Sequence, residues 1–240
     1  MNLPLLQLGD SALPIGGYSH SWGLEAAIDR GLVRDAASLE RWVRSWLSHA
    51  LGPCEGVVVA AVCRAAASAD TATAIEANEL LNASIVPATL RNASLEMGEQ
   101  LLALAESWPW AGAIDSRARS ASKCIDTPLL ALRTHQVNGS PSWHHAVVFA
   151  TLAAAAGASP RNALLVYLNQ AAMGAISAGV RAIPIGHTHG QQVLARLHDD
   201  ITTLAEVLSE SDLATAGSFC AAYEVRCHAQ TQLYTRIFRS

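Results

Sequence analysis

Cysteine, histidine and glutamate side chains can together hold a divalent cation. One run near the end of the chain, Cys220, Glu224, Cys227 and His228, has the residue types for it. On a single helix, spacings of four and of seven or eight bring these side chains near one face over two turns. Nickel and zinc accept such ligands, although cysteine at helical spacing is also a common small core residue. His187 and His189 are a second candidate; at i, i+2 they converge on one ion only in a turn or extended backbone. The adjacent His144 and His145 point about 100° apart on a helix and converge poorly. The histidine pairs fall short of the three or more ligands of a tight site, and the cysteines of the first run read as core residues, so no metal site is assigned. No catalytic set stands out either. Gly-x-Ser-x-Gly is absent, and Gly16-Gly17 is not followed by the Lys-Ser/Thr of a phosphate-binding loop.

Backbone control is concentrated in Leu5–Glu25. Pro14 fixes its own φ and pushes Leu13 towards an extended shape, while Gly16 and Gly17 open torsions that a Cβ disfavours. The segment reads as a bend of defined shape, presenting Pro14, Gly16, Gly17, Tyr18 and Ser19 ahead of a helix that carries Glu25. The other end, Leu233–Ser240, gathers Tyr234, Arg236, Phe238 and Arg239 before Ser240. Such a tail suits either a solvated helix end, whose cations complement the dipole, or a segment that docks on a partner, since Tyr, Phe and Arg are enriched at interfaces.

Helices must position these groups. Asp35 is a good N-cap, and Leu39, Trp42, Val43, Trp46, Leu47 and Ala50 follow on one face. Gly52-Pro53 is expected to end that helix, with another over Glu55–Ala67. Asp70 can cap a third, with Ile75, Leu80 and Leu81 inward, and Pro87 suits the first turn of a fourth running to about Glu106. Trp108-Pro109-Trp110 breaks it, and Asp115–Ser140 reads as a loop with a short helix. Ser142 is expected to cap a helix to Ala156 that Gly157 closes. Ser159-Pro160 begins a long helix that stops before Pro184. Ile185–Gly190 reads as a polar turn, Thr188 or Gly190 leads into another helix to about Leu208, and two more lie within Leu213–Phe238. No alternating strand pattern, repeat or linker is evident, so the chain is expected to be one all-α domain, residues 1–240, of eight to ten packed helices. In the long helix, Ala171, Gly174, Ala175, Ala178 and Gly179 are small residues at helical spacing. They serve either close packing inside the core or a helix-to-helix dimer seam.

Composition narrows the class. Of 240 residues 51% are hydrophobic and only 15% charged, which suffices for a sizeable core. Net charge is −4 and Lys123 is the only lysine, so no nucleic-acid footprint is expected. Five cysteines without CxxC suggest reduced thiols in a cytosolic protein rather than a disulfide frame. No basic leader precedes an apolar run. The longest apolar stretches, Ala146–Ala158 and Ala171–Val180, are too short to span a bilayer.

Four segments in order resemble the urease accessory protein family UreF: Leu5–Glu25, Arg91–Gly98 followed by Gln100-Leu101-Leu102, Val180–Gly186 followed by Gly190-Gln191, and Tyr234–Ser240. The likeness runs over nearly the whole length. It departs at His187 and His189, where the family commonly has Gln and Asp, and at Gln230-Thr231, where a His-Glu pair is usual. The resemblance implies an all-α, homodimeric, cytoplasmic protein without turnover of its own. It implies binding to a second accessory protein, UreD (also called UreH), and to the GTPase UreG, in an assembly that delivers nickel to apo-urease. No cofactor is then expected on this chain, the GTP lying on the partner. Pro14–Ser19, Glu25 and Tyr234–Ser240 become candidates for docking UreD, and Ala171–Gly179 for self-association. Arg91 and Arg181 either fix the core or face UreG. The rival expectation is a metallochaperone that binds nickel itself through the Cys/His groups above.

Overall fold

The structure is a computed structural model, and it describes residues 1–111, Leu132, 142–218 and 220–240. The expected Asp115–Ser140 loop therefore lies, but for Leu132, outside the described residues. No strand occurs among the described residues, and the order is α1 (Leu3–Leu8), α2 (Leu24–Asp29), α3 (Ala36–Trp46), α4 (Val57–Ala67), α5 (Thr71–Ser84), α6 (Ala88–Ala105), α7 (His145–Ala155), α8 (Pro160–Ala182), α9 (His187–Leu208) and α10 (Ala221–Gln230). Short 3₁₀ turns cover Gly17–Ser19 and Leu213–Thr215. The all-α expectation holds.

The caps explain most boundaries. The Asp35 side chain accepts from Ser38 N at 2.8 Å to open α3. Asp70 accepts from Ala72 N and Thr73 N to open α5, and the Ser159 hydroxyl accepts from Asn162 N ahead of Pro160 to open α8. Gly157, at φ +75°, closes the turn after α7. Three boundaries differ from expectation. Residue His144, not Ser142, stands at the N-terminus of α7, and the Ser142 carbonyl instead accepts from Asn78 Nδ2. Helix α9 begins at His187, inside the expected turn. The region after Leu213 holds one 3₁₀ turn and one ten-residue helix rather than two full helices.

The largest departure is at Gly52-Pro53, which does not stop the chain. Leu47–Gly56 continues from α3 into α4 as a π-helical segment with Pro53 inside it. A wider i→i+5 turn accommodates a residue that has no N–H to give and whose ring would crowd an α-helical turn. Ala36–Ala67 is thus one continuous helix of 32 residues.

Helix α7 is apolar all round and forms the centre, with every residue from His145 to Ala153 buried. Helix α4 lies against it, α6 packs on another side, and α8 bridges α4 and α9. Helix α9 covers α3, where Arg44 pairs with Asp200 at 2.9 Å and Arg196 with Glu40 at 2.5 Å. By length and composition alone, Ala36–Ala67 and Pro160–Ala182 could each cross a membrane, which the length of the apolar stretches did not anticipate. Here 72% and 50% of their most apolar windows are buried within the protein, as in core helices.

The small residues of α8 divide. Ala175 and Ala178 are buried, and a Cβ on Gly179 would come within 2.7 Å of Leu39 Cδ1 and Cδ2. These three let α8 approach its own neighbours, and a dimer seam that needed them exposed is not available in this fold. Ala171 and Gly174 alone of the five face an open groove, and a Cβ on Gly174 would meet no atom within 4 Å.

Candidate functional site

The two ends of the sequence meet. At the turn before α2, Trp22 and Gly23 both have positive φ, +54° and +78°. A Cβ at Gly23 would lie 2.7 Å from Cys227 Sγ, so glycine there permits α10 to pack on α2. For Trp22 the conformation is uncommon and requires outside support. The tail supplies it: the Ser240 carbonyl accepts from Trp22 N at 3.1 Å and also from Ser21 N.

Glu25 holds the rest of the tail. Its carboxylate accepts from Ile237 N at 2.6 Å, Phe238 N at 3.2 Å and Gln230 Nε2 at 3.3 Å. Arg239 N donates to Ser19 O at 2.8 Å, and Ser240 Oγ is hydrogen-bonded to His20 Nδ1 at 2.6 Å. Burial, followed by the nearby Arg239 cation, lowers the His20 pKa. Arg181 on α8 donates to Tyr18 O at 2.8 Å, with its guanidinium 3.6 Å from the Tyr18 ring centroid and 4.5 Å from that of Phe238.

Of the residues singled out in the sequence, Glu25, Phe238 and Ser240 are therefore buried among the chain's own atoms. They shape the surface and do not form its outer face. Gly16 turns the bend with φ +84°, whereas Gly17 enters the 3₁₀ turn with ordinary torsions. Pro14, Tyr18, Tyr234, Arg236 and Arg239 are exposed, and Ile237 of the same tail joins them. Arg91 donates to Ile85 O at 2.9 Å and so closes the end of α5. Both arginines left open in the sequence thus fix the chain's own arrangement.

The expected metal ligands do not converge. Cys227 is buried while His228 is exposed on the same helix, and Cys220 lies before its first turn. His187 and His189 occupy the first turn of α9, where two positions apart means about 200° around the axis. Among the described residues no group of three His, Cys, Asp or Glu is placed to hold a metal ion.

Beside this surface, a cavity of about 490 Å³ opens between the N-terminal bend and helices α8 and α9. Its floor is polar. Tyr167 OH donates to Glu55 Oε2 at 3.1 Å, and the Tyr167 ring stacks on His145 at 5.6 Å. Burial pushes the Glu55 carboxyl up to about 7, against the smaller opposing effect of the Tyr167 bond, and pushes His145 down to about 4. No motif in the sequence points to this pairing. It depends on the π-helical turn, which sets where Glu55 points.

Comparison with known proteins decides the kinship of this arrangement. The UreF family model matches residues 33–198. The chain belongs to the UreF family. A urease accessory protein UreF of Cupriavidus metallidurans is 33% identical across 99% of this chain and 97% of that protein. UreF proteins of a Nostoc species and an Arthrobacter species are 30% and 29% identical, each across 99% of this chain and 95% and 96% of their own lengths. The UreF model begins after the bend and ends before the tail, but the relatives align through both.

Proposed function

We propose that this chain is a urease maturation factor: a non-enzymatic adaptor that bridges UreD/UreH and the GTPase UreG while nickel is inserted into apo-urease, and that modulates GTP hydrolysis. Nickel and GTP are handled by the assembly, the nucleotide on the partner, in the cytoplasm. The relatives' names support the urease role. The observation that carries the adaptor reading is the joined surface of the two chain ends. There Tyr18, Tyr234, Arg236 and Ile237 stand exposed on a backbone whose position is fixed from beneath by Glu25 and Arg181. Exposed aromatic and arginine side chains on a rigid base suit protein recognition, because little entropy is lost when they are covered. Homodimerisation is part of the proposal and would use surfaces other than Ala175, Ala178 and Gly179.

Deleting Arg236–Ser240 tests the adaptor reading. Co-purification with UreD should be lost while helical circular dichroism is retained. The double variant Tyr234→Ala, Arg236→Ala, which leaves the Glu25 hydrogen bonds in place, should weaken the same association. Undiminished co-purification of both variants would refute the docking role.

A further inference from the structure

The cavity floor holds polar groups whose hydrogen-bonding capacity is only partly used. Glu55 receives one hydrogen bond among the described residues, from Tyr167. His145 is 7% exposed, and its Nε2 finds no partner among the described residues. A buried polar atom left unpaired is costly and calls for an explanation. Aromatic rings share the cavity lining with the two groups: Tyr167 itself, and Trp22 and Trp46, whose rings stack with centroids 6.4 Å apart. Above the floor the walls carry apolar side chains, including Leu13, Ile15, Met97, Met173, Ile176 and Leu194, and a polar set with Asp10, Gln170, Ser177, His187 and Gln191. The cation on the wall, Arg181, is already stacked between Tyr18 and Phe238 and bonded to Tyr18 O.

A bare metal ion would lack ligands here, since no set of three His, Cys, Asp or Glu converges among the described residues. An anion would face the carboxyl. A head with several N–H donors and a positive charge fits these groups: one donor for the Glu55 carboxylate, one for His145 Nε2 when the ring carries its proton on Nδ1, and the charge beside the aromatic rings. The apolar side chains above fit a short hydrocarbon stem, and the volume lies within the range of small-molecule sites. We propose that this cavity is a binding site for a primary alkylammonium group, carried either by a free amine or by a lysine side chain. The proposal goes beyond the urease-maturation reading and does not rest on it.

Trp22 and Trp46 give the test its signal. The intact chain is titrated at pH 8 with n-hexylammonium, 1-hexanol, hexanoate and Nα-acetyl-lysine methylamide, with tryptophan fluorescence and calorimetry as readouts. Hexylammonium should bind one to one and at least tenfold more tightly than hexanol or hexanoate. Glu55→Gln should weaken it tenfold or more. Gly174→Leu, which fills open space at the cavity wall, should block it without loss of helical signal. Blocked lysine binding as tightly as hexylammonium would assign a protein side chain as the natural occupant; hexylammonium binding alone would assign a free amine. Equal affinity for hexanol and hexylammonium in the unaltered chain overturns the proposal, as does unchanged binding in both variants.

Discussion

Two glutamates, Glu25 buried and Glu55 half-buried, sit in this molecule under opposite conditions. Glu25 accepts two backbone N–H groups and a glutamine amide, and His20 is bonded to Ser240 of the same tail. Glu55 accepts one phenolic hydroxyl, and its neighbour His145 has a ring nitrogen with no partner among the described residues. The first constellation is closed, because its hydrogen-bonding capacity is filled by the chain's own tail. The second is open towards a cavity. The difference separates a clamp from a receptor: satisfied polar groups fix structure, and unsatisfied ones beside empty space await something that binds. Trp22 touches both regions, held by the Ser240 carbonyl on one side and lining the cavity on the other.

Breaking the clamp should have the largest effect. Glu25→Ala leaves the Ile237 and Phe238 amides unpaired and should cost about 3 kcal/mol, seen as a lowered thermal midpoint. Faster hydrogen exchange at residues 237–239 should accompany it. Unchanged exchange there would mean that the tail is held by other contacts and that the two regions do not differ as described.

The open region should respond with the opposite sign. Between pH 4.5 and about 7 the folded chain keeps a proton on Glu55 that the unfolded chain has released. Stability from this group therefore falls as pH rises through that window, and the loss is complete above it. Glu55→Gln should stabilise the protein by about 2 kcal/mol at pH 8 and by little near pH 4.5, measured by denaturant unfolding at both values. A variant equally destabilised at both would show that Glu55 is as well satisfied as Glu25.

The smallest effect on stability is expected on the outer face of the clamp. Tyr234→Ala and Arg236→Ala alter exposed side chains and should each stay within about 0.5 kcal/mol of the unaltered chain in urea unfolding. A larger loss in either would move that residue from the outer surface into the clamp.

Local signals in the sequence placed most helices. Asp35, Asp70 and Ser159 cap where the capping rules put them, and the long helix from Pro160 ends before Pro184. Composition and periodicity sufficed for the all-α class, since a helix is written in residues three and four apart. The same rules misjudged Gly52-Pro53. A glycine-proline pair does end an isolated helix, but here packing stabilises a π-helical passage that keeps α3 and α4 continuous. The bend and the tail were both marked as surfaces by their residue types, yet nothing local to either says that they bind each other. Glu25 reaches residues 212 and 213 positions away, and His20 one 220 positions away. The sequence by itself determined the helices, their caps and the family segments, because those depend on near neighbours. Only the tertiary structure decided which carboxylate is clamped and which faces a cavity, because that depends on which distant backbone amides arrive to fill it.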